Sequence, residues 1–184
     1  TVGYKGVLTV DAFNKFMETI ITLSKANPEF NFLYKSKKSL AQISLSAGNK
    51  SIELIEKIKF NNNTFYVNDY SINQFQLMAI SNLVISAPMS SVFYESLAGG
   101  IRSISYDPCG QYKNYNVPSV QFEKMYASTY KRLEELIEYW LTESTDYSFQ
   151  EYLSNQVYPH LDDKCNGTAI NQFKGLLALD NREK

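Results

Sequence analysis

Residues 83–106 constrain the fold more tightly than any other stretch. Leu83-Val84-Ile85-Ser86 is a short apolar run and Pro88-Met89-Ser90-Ser91 a turn able to cap a helix. Val92 to Ala98 is helical, Gly99-Gly100 ends that helix, and Ile101 to Tyr106 is a second apolar run. Strands that are apolar throughout, rather than alternating, are buried on both faces, and two such strands joined through a helix run parallel. The rest of the chain extends the pattern. Leu8 to Val10 closes an extended opening, Asp11 reads as an N-cap, and helical spacing of Phe13, Phe16, Met17, Ile20, Ile21 and Leu23 predicts a helix from Ala12 to Ala26. Asn27-Pro28 stops it. A strand over Phe30 to Tyr34 follows, then a helix over Lys50 to Ile58, a turn at Asn61 to Asn63, a strand at Phe65 to Val67 and a short helix over Ser71 to Ile80. Downstream, a short strand is expected at Ser119 to Phe122, with helices over Tyr130 to Leu141, Phe149 to Gln156 and Thr168 to Leu179. The predicted class is α/β: a Rossmann-like, doubly wound parallel sheet, with 1–184 as one domain. The chain opens on Thr1 and reads as a piece of a longer protein.

Charge excludes some function classes. Eighteen Lys+Arg against 19 Asp+Glu leave a net charge of -1, so no field draws the chain to nucleic acid or to an anionic membrane. One histidine, His160, and two cysteines, Cys109 and Cys165, cannot by themselves build a Cys/His zinc site. A chain of this size needs no staple, so both thiols are expected free, in the cytoplasm. No apolar run approaches the roughly 18 residues of a membrane span. The 14 tyrosines outnumber the partners a small core holds for their hydroxyls, so many are expected half-exposed.

In an open parallel sheet, ligands bind at the carboxyl ends of the strands. Four loops qualify: Lys35 to Lys38, Asn68 to Ser71, Ser86 to Ser91 and Asp107 to Tyr112. The third leads straight into a helix, whose free N–H groups and positive dipole end suit a phosphate. Ser90 and Ser91 are thus caps alone or caps that also bind a ligand. Glu95, one turn past Ser91, is a solvated helix residue or an acceptor for vicinal hydroxyls. Lys35 and Lys37 belong to a solvated loop or neutralise an anion. Asp107 has the position of a ligand contact, though Asp-Pro also opens ordinary turns.

The stretch from Phe65 to Asp107 resembles the C-terminal, donor-binding domain of GT-B glycosyltransferases of bacterial surface-polysaccharide synthesis. Gln76 to Ser86 followed by Ser90 to Gly100 carries the likeness, and Asp162 to Leu177 is similar to that family's closing helix. The resemblance implies one half of a GT-B fold, binding a nucleotide-activated sugar as substrate with no cofactor or metal required. Ser90 and Ser91 would hold the donor's phosphates, Glu95 the ribose hydroxyls, and Tyr70 the base, with CMP or UDP first in line. Lys35 and Lys37 match a basic pair after the second strand. The glycan acceptor, and any peripheral contact with the inner membrane, would belong to a missing N-terminal domain, so the isolated chain is expected to turn over poorly. Many retaining members carry a second Glu eight positions before the ribose Glu; here that position is Ala87, which points to another branch.

Two alternatives stay open. A nucleotide-sugar 2-epimerase shares the architecture and would draw on Glu95, Asp107 and His160. A non-catalytic α/β module would bind a protein partner through the loop from Tyr106 to Tyr115, since tyrosine is enriched at interfaces.

Overall fold

Thr9 starts the first helix, two residues ahead of the expected cap. Its hydroxyl accepts from the Ala12 N–H at 3.2 Å, and its extended backbone suits an N-cap. Helix α1 (Val10–Ala26) therefore includes Val10, and Asp11 sits in its first turn rather than at its head. The computed structural model describes residues 9–36, 39–68, 71–88, 90–113 and 121–161. The expected strand end at Leu8 and the helix over Thr168 to Leu179 lie outside them.

The chain divides into two compact units. The first spans Thr1–Ile80 with Asp107–Gly110. In it α1 packs on α2 (Leu40–Lys59), and buried Met17, Ile20, Leu23, Leu54, Ile55 and Ile58 form the core. The Ser51 hydroxyl donates to the Asn14 side chain at 2.7 Å inside that contact. Helix α2 begins ten residues before the predicted one, at a capping box in which Ser39 and Gln42 bond each other's backbone N–H. Gly48, at φ 79°, interrupts it. Strands β1 (Phe32–Lys35) and β2 (Thr64–Val67) pair in parallel, Phe32 opposite Thr64. The Asn63 side-chain amide fixes their approach by donating to the carbonyls of Ser24, Asn27 and Phe30 at 2.8–3.1 Å. Tyr34 and Tyr66 stack on one face of the pair at 5.7 Å. The opposite face carries Leu33 and Phe65, which are exposed, so the expected cover on both faces is missing here. Helix α3 (Gln74–Ala79), capped by Asn73, closes the unit.

The second unit spans Ser81–Tyr106 and Gln111–Lys184. Strands β3 (Val84–Ser86), β4 (Ser103–Tyr106) and β5 (Tyr126–Ala127) form a parallel sheet in that order. β4 lies at its centre and is buried throughout, as an all-apolar reading of it implies. Helix α4 (Ser91–Ala98) joins β3 to β4 and packs on both. Gly99 caps it and Gly100, at φ 75°, turns the chain into the next strand. Of the strand expected near Ser119 to Phe122, the first two residues lie outside the described ones; Gln121 and Phe122 are not in a strand, a short 3₁₀ turn (Glu123–Met125) follows, and β5 comes after. Helix α5 (Tyr130–Glu138) runs into a π-helical turn at Tyr139–Glu143. Helix α6 (Asp146–Tyr152) continues through a second such turn (Leu153–Val157) into α7 (Tyr158–Leu161). Trp140 locks this region: its indole N–H donates to the Lys124 carbonyl at 2.7 Å, and its ring meets Phe149 and Tyr152 edge-on.

Among the described residues the architecture is mixed α/β with small parallel sheets, of two and three strands. Among the described residues, no helix is long and apolar enough to cross a membrane.

Candidate functional site

The turn after β3 is built as its residue types suggest. Pro88 is buried, and the Ser90 N–H donates to the Ala87 carbonyl at 3.3 Å. That bond closes the turn and places Ser90 at the N-cap of α4, where its hydroxyl accepts from the Val92 N–H at 3.3 Å. Ser91 follows on the exposed side. Phe93 and Leu97 are buried completely and hold the helix on the sheet. Ser96, also buried, returns its hydroxyl to the Val92 and Phe93 carbonyls at 2.7 and 2.9 Å. Glu95 is half-buried one turn past Ser91 and is engaged in an interaction of its own. Ser90 and Ser91 therefore stand at the start of one eight-residue helix, with Glu95 one turn further along it.

The other predicted site residues fall elsewhere. Lys35 ends β1 in the first unit and lines a cleft of about 300 Å³ with Ser36, Ser39, Tyr66 and Asn68, at the carboxyl ends of β1 and β2. Lys37 and Tyr70 lie outside the described residues. Asp107 follows β4 directly and is only 1% exposed; its carbonyl accepts from the Gly110 N–H at 3.0 Å. Arg102 bonds Asp146 at 2.8 Å and the Ser144 carbonyl at 3.3 Å. His160 lies in α7. Tyr106 and Tyr112, expected in an exposed interface, are buried, which removes both from any partner surface. The other described tyrosines are half-exposed or exposed, in line with the excess of phenols.

One feature escaped the sequence. The hydroxyls of Ser86, Ser103 and Ser105 are buried in the β3–β4 region with no hydrogen-bond partner among the described residues. Each such group costs about 1–3 kcal/mol. Serine at the end of an apolar run was the available signal, and it read as a strand terminus.

The family described as "Polysaccharide biosynthesis PFTS motif protein" matches residues 6–137, well over half of the 184. The chain belongs to that family. Membership gives this PFTS motif protein a general role in polysaccharide biosynthesis. The match takes in β1 to β5, the whole of α4 and most of α5. No curated protein and no solved structure matches the chain.

Proposed function

We propose that this chain is the donor-nucleotide-binding part of a glycosyltransferase, one half of a GT-B-like doubly wound fold, moving a nucleotide-activated sugar to a glycan acceptor. The observation that carries the reading is the turn between β3 and α4. Taken as residues, the four letters in the family's description are Pro-Phe-Thr-Ser. Pro88-Met89-Ser90-Ser91 keeps the proline and a hydroxyl residue at each of the last two places. Pro88 is the one proline of five with serine three positions on. A motif so placed, at the carboxyl end of a parallel strand and the positive end of a helix, suits a phosphate.

In this reading the α4 amides and the hydroxyls of Ser90 and Ser91 hold the donor's phosphates and stabilise the charge that develops as the sugar leaves. Glu95 accepts from the ribose hydroxyls. Tyr70 stacks on the base, with CMP or UDP as carrier, and Lys35 and Lys37 neutralise charge. Asp107, buried and already engaged, anchors the end of β4 instead of touching the donor. The acceptor is bound by another part of the protein.

The test is calorimetric titration with CMP, CDP, UDP and GDP, wild type beside Glu95→Ala. One nucleotide should bind and the variant should lose at least tenfold in affinity. Binding of none at millimolar concentration, by this chain and by a longer parent chain alike, would sink the reading.

A further inference from the structure

We draw no further inference here: the strongest candidate, the exposed apolar face of the β1–β2 pair that carries Leu33 and Phe65, carries nothing because nothing among the described residues shows what covers it.

Discussion

Replacing Ser90 once by alanine and once by glycine separates its two roles. As an N-cap its hydroxyl accepts one bond, from the Val92 N–H at 3.3 Å. That distance lies beyond the usual 2.7–3.2 Å range, so the cap belongs in the lower half of the ordinary 0.5–2 kcal/mol, about 0.5–1 kcal/mol. Phe93 and Leu97 hold the helix down whatever stands at its start. For a chain of this length Ser90→Ala should lower the melting temperature by roughly 1–4 °C. Glycine is nearly as good a cap, costing a few tenths of a kcal/mol, so Ser90→Gly should melt within about 1 °C of wild type. Phosphate binding ranks the variants differently, since neither offers a hydroxyl. A hydrogen bond to a charged group is worth about 1.5–3 kcal/mol, so both should lose roughly 10- to 150-fold in nucleotide affinity. Thermal melts and calorimetric titration on the same preparations give both numbers. If affinity follows stability, with Ser90→Gly binding like wild type, then Ser90 is a cap and nothing more.

Three further outcomes follow from the packing and the charges. Trp140→Ala removes a fully buried ring that touches Phe149 and Tyr152, and should cost about 3–5 kcal/mol by denaturant melts; a loss under about 1 kcal/mol would refute its role as the lock of the second unit. Asp146 is 93% exposed where Arg102 is 19%, so Asp146→Ala should cost no more than about 1 kcal/mol. Arg102→Ala should cost more, about 1–3 kcal/mol, because it also gives up the Ser144 carbonyl and the Phe149 ring; equal losses would disprove this. Desolvation, followed by the Glu134 carboxylate, pushes the Tyr130 phenol up to about 12 from 10.0. The fold thus favours the neutral phenol: its contribution is complete below pH 10.0 and disappears as pH rises toward about 12. Tyr130→Phe should therefore move the midpoint of alkaline unfolding upward in an ultraviolet absorbance titration, and an unchanged midpoint would count against the assignment.

Much of the fold was legible because its signals are local. The Leu83 to Tyr106 stretch has a strand, a serine turn, a helix and a glycine stop in an order that few folds accommodate, and β3, α4 and β4 stand where that order puts them. Where the expectation slipped, a competing local signal won. Asp11 is the stronger capping type, yet Thr9 has the extended backbone two residues upstream, and the acid moved into the first turn, where the helix dipole also favours it. The helix expected from Lys50 is the second part of α2: Gly48 breaks the helix, and the Ser39–Gln42 capping box starts the run before it. The division into a two-stranded and a three-stranded sheet was not legible. Strand order depends on pairings between distant residues, and an apolar run looks the same in either sheet.

The candidate site divides along the same line. The Ser90 cap could be read from the sequence because a helix start has a grammar of its own, with a hydroxyl at the cap. Ser86 and Ser105 could not, because 19 residues separate them and only the ladder makes them neighbours. Their burial also inverts the usual argument about hydroxyls. Ser90 and Ser96 are bonded within the chain, so each has a structural reason to be serine whether or not a ligand ever arrives. Ser86 and Ser105 have no such reason: at a buried position with no partner, alanine would serve the free fold better. The residues that stability alone would remove are therefore the ones from which function is best inferred.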